Sequence, residues 1–208
     1  MKNLYIFFFE TQFKTGSAIR MVTRYKYNHV AISFEPNTDR LYSYARYRYH
    51  EPLLSGFGVE YTDRYRNGAK PVCIKVYEVP VTDEHYERVK KRIDYYINFW
   101  EHTQYNFFDI IFYPFKHHVE LQFTHTCLSF ACELLDMQGI HSIEELDARL
   151  ACKGGRVIFE GPLSVFEASP SSGPIDFYER RGRVRVLAQS GLAMCVLAAS
   201  LIRKTLVL

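Results

Sequence analysis

Thr126-Cys-Leu-Ser-Phe-Ala-Cys-Glu-Leu-Leu-Asp-Met-Gln138 is an apolar stretch with helical spacing. Cys127, Phe130, Ala131, Leu134, Leu135 and Gln138 recur as one stripe that would face a core. Gly139 follows as a natural stop. Cys127 opens the stripe, so its thiol stands at the helix N-terminus. Unpaired backbone N–H groups and the macrodipole favour the thiolate there. Thr126 or Thr124 is placed to cap the helix, although neither has a Glu or Gln at capping-box spacing. Cys132 lies off the stripe and has no such position.

Upstream, His29-Val-Ala-Ile-Ser-Phe34 reads as a short strand. Alternation puts His29, Ala31 and Ser33 on one face and Val30, Ile32 and Phe34 on the other. The two small residues predict a face that a helix can approach closely. That would bring the imidazole to the Cys127 thiol as a nucleophile–base pair. The plainer alternatives are a buried structural thiol and an ordinary sheet histidine.

The remaining pattern supports an α+β domain. Leu4–Phe9, Leu41–Tyr49, Val72–Val79 and Arg156–Phe159 read as further strands, with residues 29–49 forming a hairpin. Helices are predicted from Ser17 to about Tyr25 and from Thr82 onward. The second carries Tyr86, Val89, Ile93, Ile97 and Trp100 on one side. A third runs over Tyr105–Tyr113 and stops at Pro114, and a fourth starts with the capping signature Ser142-Ile-Glu-Glu145. Residues 50–71, rich in Gly and Pro, read as an irregular excursion. The domain is expected over 1–166, a basic linker over 167–185 and an apolar helix or tail over 186–208.

Composition narrows the function. Net charge is +3, too little for a dedicated nucleic-acid binder. The Tyr/Arg runs 44–50 and 61–66 fit a strand face guarded by arginine better than a base-stacking platform. Five cysteines (73, 127, 132, 152, 195) form no C-x-x-C pair, which predicts reduced thiols and a cytoplasmic setting. His117, His118, His125 and Cys127 are metal-ligand types, yet their spacing fits no zinc motif, so neither metal nor cofactor is expected. The start of the chain lacks signal-peptide features. The tail, with arginines before Val186 and Arg203-Lys204 after Ile202, packs on the domain or meets a membrane surface through 180–208.

Tyr27-Asn-His-Val-Ala-Ile-Ser33 followed by Thr126-Cys-Leu-Ser-Phe-Ala-Cys-Glu-Leu-Leu135 resembles the circularly permuted papain-like group. This is the branch of the NlpC-type superfamily related to lecithin-retinol acyltransferase and bacterial permuted hydrolases. In that group the strand His precedes the helix Cys, as here, and Tyr105-Asn106 before a helix is similar to the bacterial members. The resemblance spans residues 4–160 in element order. It implies an antiparallel sheet with helices packed on it, Cys127 as nucleophile and His29 as general base. The implied substrates are amides or esters, either cell-wall peptides or lipid acyl groups. The family's third residue, on the strand after the His strand, is polar. In this chain Ser43 falls there in one hairpin register, and Tyr42 or Tyr44 if the register slips by one. None of these is an anion, and that leaves a non-catalytic scaffold as the rival expectation.

Overall fold

The structure is a computed structural model that describes residues 1–13, 25–65, 71–112, 119, 121–167 and 169–207. The helix expected from Ser17, Pro114, and the histidines 117 and 118 lie outside them.

Six strands form one antiparallel sheet: β1 (Lys2–Phe9), β2 (His29–Ser33), β3 (Leu41–Arg46), β4 (Ser55–Glu60), β5 (Cys73–Val81) and β8 (Arg156–Pro162), in the order β4-β3-β2-β1-β5-β8. β1 is central. Its Leu4, Ile6 and Phe8 point to one face and Phe7 and Phe9 to the other, and all five are fully buried. A strand covered on both sides reads as a continuous apolar run, as Leu4–Phe9 does.

The first face carries α1 (Asp83–Phe99), α3 (Cys127–Leu134) and α4 (Ile143–Cys152), whose Val89, Ile93, Tyr96, Phe130, Ala131, Leu146 and Leu150 close the larger core. Thr82 caps α1 by accepting from the His85 N–H at 3.1 Å, and Ser142 caps α4 from the Glu145 N–H at 3.0 Å. On α1, Ile97 and Trp100 are 42% and 44% exposed, contrary to the expected face. The helix ends at Phe99, and Tyr96 is the last side chain directed at the core. The second face is covered by a 3₁₀ turn (Thr62–Tyr65), Val72 and the short α5 (Leu163–Phe166).

A separate two-stranded parallel ladder pairs β6 (Gln104–Tyr105) with β7 (Thr124–His125). β6 leads into α2 (Phe107–Phe112) and β7 into α3. The last element is α6 (Arg183–Val207), the one helix among the described residues long and apolar enough to cross a membrane.

Two expectations change here. Residues 50–71 contain β4, because Gly56 marks close packing rather than a turn. A Cβ at Gly56 would stand 2.3 Å from the Tyr47 hydroxyl and 2.8 Å from the Thr103 carbonyl. The 167–185 segment is no loose linker. Ser171 bonds Thr62 and the Thr38 carbonyl, Phe177 O accepts from Tyr49 N–H at 2.8 Å, and Arg181 pairs with the fully buried Glu51.

Candidate active site

Cys127 is the first residue of α3, and Thr126 is its N-cap. The Thr126 hydroxyl accepts from the Ser129 N–H at 3.1 Å, and the Ser129 hydroxyl accepts from the Thr126 N–H at 2.9 Å. Ser129 thus does the work of the Glu or Gln of a capping box, a role too rare for the sequence pattern to flag. The helix stops earlier than the stripe implied. Asp136 takes a left-handed conformation (φ 50°) and Met137 N–H reaches the Cys132 carbonyl at 2.9 Å, a Schellman-type close. Gln138 is therefore exposed and off the helix.

His29 starts β2. Asn28 fixes this end of the strand: its backbone N–H donates to Phe9 O at 3.0 Å and its side-chain amide brackets the Thr11 backbone at 2.9 and 3.1 Å. The helix does not approach on the small-residue face. Cys127, Phe130 and Ala131 pack with Val30 and Ile32, whereas Ala31 belongs to the opposite core with Phe7 and Phe9. Thiol and imidazole come together where the first residue of β2 faces the first residue of α3. There the His29 ring, the Val30 backbone N–H and the Tyr105 hydroxyl all act on the Cys127 sulfur and favour its thiolate.

The hairpin register places Ile32 opposite Tyr42, which sets Ser43 on the His29 face. Tyr42 and Tyr44 are on the other side, Tyr44 packed against Phe57, Tyr96 and Phe130. Ser43 is close to the ring at 3.5 Å, but the nearer partner is a residue the sequence reading missed. Glu60, at the end of β4 opposite Leu41, puts Oε1 2.6 Å from His29 Nε2. Ser43 donates to the same oxygen. Oε2 accepts from the Tyr65 hydroxyl and pairs with Arg64 Nη1, both at 2.7 Å. The carboxylate, 2% exposed, is thus satisfied on both oxygens. Nε2 is committed to Glu60, which leaves Nδ1 for the thiol.

These contacts decide the charges. For each group burial is the largest influence and opposes the charged form. At His29 the Glu60 carboxylate and the Cys127 sulfur outweigh it and raise the ring pKa to about 10. At Glu60 the Arg64 and His29 charges outweigh it and hold the carboxyl far below the usual range. At Cys127 the His29 charge, the ring hydrogen bond and the Val30 and Tyr105 donors bring the thiol below its ordinary value. The result favours a thiolate–imidazolium–carboxylate row. Cys132, on the same helix but away from any donor, is pushed by burial up to about 12. Tyr105 is raised well above its ordinary value by burial and the neighbouring sulfur, so it stays a protonated donor. The Cys127 backbone N–H acts on its oxygen as well, so Tyr105 belongs to the start of α3.

Among the described residues no group of His, Cys, Asp and Glu could hold a metal. His125 instead contacts Glu133 at 3.0 Å and the Tyr96 hydroxyl at 3.1 Å. The described arginines of the Tyr/Arg runs are engaged by other groups of the chain. Arg46 lies 4.5 Å over the Phe13 ring, Arg48 pairs with Glu179 at 2.8 Å, and Arg64 is shared by Glu60 and the Phe177 ring.

No protein-family model, no curated protein and no solved structure matches this chain.

Proposed function

We propose that this chain is a cysteine hydrolase or acyltransferase of the circularly permuted papain-like type, acting on an amide or ester. The observation that carries the reading is the 2.6 Å pairing of the Glu60 carboxylate with the His29 ring, whose charge lowers the Cys127 thiol pKa. Isolated buried thiols have raised pKa values; this one is lowered, and its lowering comes mainly from a histidine. A structural thiol has no need of such an arrangement.

In the proposed reaction the Cys127 thiolate attacks the substrate carbonyl carbon, forming a C–S bond. The oxyanion is taken up between the Cys127 N–H and the Tyr105 hydroxyl. The His29 imidazolium gives its proton to the leaving amine or alcohol as the C–N or C–O bond breaks, leaving an acyl-thioester. Water, or an acceptor alcohol or amine in a transferase, then loses a proton to His29 and displaces the thiolate. Glu60 holds the ring in place and stabilises its charged form. The family resemblance suggests cell-wall peptide amides or lipid acyl groups as substrates.

The test is turnover of aryl-ester and thioester substrates, with intact-mass trapping of the acyl group. Wild type is expected to turn over and to carry the adduct on Cys127, and Cys127→Ala to do neither. In parallel, iodoacetamide should alkylate Cys127 before Cys73, Cys132, Cys152 or Cys195, and His29→Ala should slow it. Equal alkylation of all accessible thiols, with no turnover by wild type, would overturn the proposal.

A further inference from the structure

Helix α6 is built the wrong way round for water. Every exposed residue from Leu187 to Ile202 is apolar or glycine: Leu187, Ala188, Gly191, Leu192, Cys195, Val196, Ala199 and Ile202. Leu187 and Leu192 are 72% and 67% exposed. The polar residues of the same span, Gln189, Ser190 and Ser200, are half-buried or buried. A helix docked on a water-soluble domain shows the opposite pattern. Charges occur only at its ends, Arg183 and Arg185 before this face and Arg203 and Lys204 after it.

The inward side is seated. Leu197 is 1% exposed in a cluster with Val119 and Leu121, against which Phe107, Phe108 and Leu201 pack. Gln104 Nε2 donates to the Ala193 carbonyl at 3.3 Å. To cross a bilayer the helix would have to leave these contacts and carry Gln189, Ser190 and Ser200 into hydrocarbon, where polar groups are costly. Lying flat keeps every inward contact and buries only the apolar face. Basic residues at both ends then meet headgroups rather than acyl chains.

We infer that α6 is an in-plane docking surface for a lipid bilayer carrying anionic headgroups, with the Leu187–Ile202 face sunk into the acyl boundary. The inference stands on packing and charge alone and does not rest on the chemistry at Cys127. Gln104, which holds α6, adjoins Tyr105 of the candidate site, so the docked membrane would lie near that site.

The experiment is co-sedimentation of the full chain with vesicles of phosphatidylcholine alone or with about one-third phosphatidylserine. Binding to the mixed vesicles is expected, falling at high salt. Leu187→Glu/Leu192→Glu/Val196→Glu, all at exposed positions, should weaken binding at least ten-fold with an unchanged melting curve. Depth is read in the full chain with Cys73, Cys127 and Cys152 replaced by serine and Cys195 carrying an environment-sensitive fluorophore. Cys195 is mid-helix, so quenching by brominated lipids should be shallow, about 5–10 Å below the headgroups. A helix that spans would put it near the bilayer centre, about 15 Å down. No binding to mixed vesicles, equal binding to pure phosphatidylcholine, or deep quenching would each overturn the inference. So would a dimer that the triple substitution dissociates while vesicle binding stays unchanged, since a second copy would then be the occupant. Alkylation of Cys127 is measured without lipid, so failure here leaves that result untouched.

Discussion

Replacing Glu60 with Gln keeps the volume and an acceptor for His29 but removes the charge that stabilises imidazolium. The carboxylate oxygen is 2.6 Å from Nε2. With charge centres about 4 Å apart, the attraction is at most about 4 kcal/mol at an effective dielectric of 20. Arg64, 2.7 Å from the other oxygen, cancels a share of that field at the ring. The part lost is close to the difference between a charged and a neutral hydrogen bond, about 1–1.5 kcal/mol. At about 1.4 kcal/mol per pH unit, the His29 imidazolium should lose its proton about one unit lower in Glu60→Gln. The assay is NMR titration of the His29 ring. The His29 inflection should move down. Because Glu60→Gln leaves Arg64 without its counter-charge, Glu60→Gln/Arg64→Met separates misfolding from electrostatics. An inflection unmoved in both variants would refute the assignment of Glu60 as the group that sustains the imidazolium.

Stability should depend on pH in a way set by the pair. His29, raised in the fold, contributes stability below its unfolded pKa of about 6.5 that fades toward about 10. Cys127, lowered in the fold, contributes stability that grows as pH rises to its unfolded value of about 8.5. The opposite slopes offset one another where both groups titrate. Wild-type melting temperature should therefore fall less steeply above about pH 6.5 than that of Cys127→Ala. Gly56→Ala forces a Cβ into the Tyr47 hydroxyl and Thr103 carbonyl, and should cost about 1–3 kcal/mol by chemical denaturation. It should also slow Cys127 alkylation, because β4 carries Glu60. Thr126→Ala removes the cap of α3 and should cost about 1 kcal/mol with a smaller thiolate fraction at neutral pH.

The mixed α+β class, the antiparallel sheet and most element positions were legible because periodicity reports which face of an element is buried. β1 read as a buried run, and Thr82 and Ser142 announced their helices. The meeting of Cys127 with His29 was legible too, although the face on which α3 packs was not. Alternation reports which residues share a face, but not which face a distant helix covers. Glu60 was hidden because its strand is written Ser55-Gly-Phe-Gly-Val-Glu60, and glycine that admits close packing looks like glycine that turns. Ser43 was found at its register position, yet the carboxylate it serves comes from one strand further on. Tyr105 stood in a motif before a helix. Its reach to the sulfur depends on the parallel β6–β7 ladder, which two-residue strands do not reveal in sequence.

The segment 169–181 has a practical consequence for anyone trimming this chain. Phe177 stacks beneath the Arg64 guanidinium at 4.3 Å, and the Tyr178 hydroxyl donates to the Arg64 carbonyl at 2.7 Å. Arg64 in turn neutralises Glu60. A version shortened at residue 166 to shed the greasy tail would also strip the brace from the acidic end of the candidate site. Its silence in an assay would then say nothing about the reaction. A cut after Arg181 keeps this tether, at the expense of the Leu197 contacts that seat α6 on Val119 and Leu121.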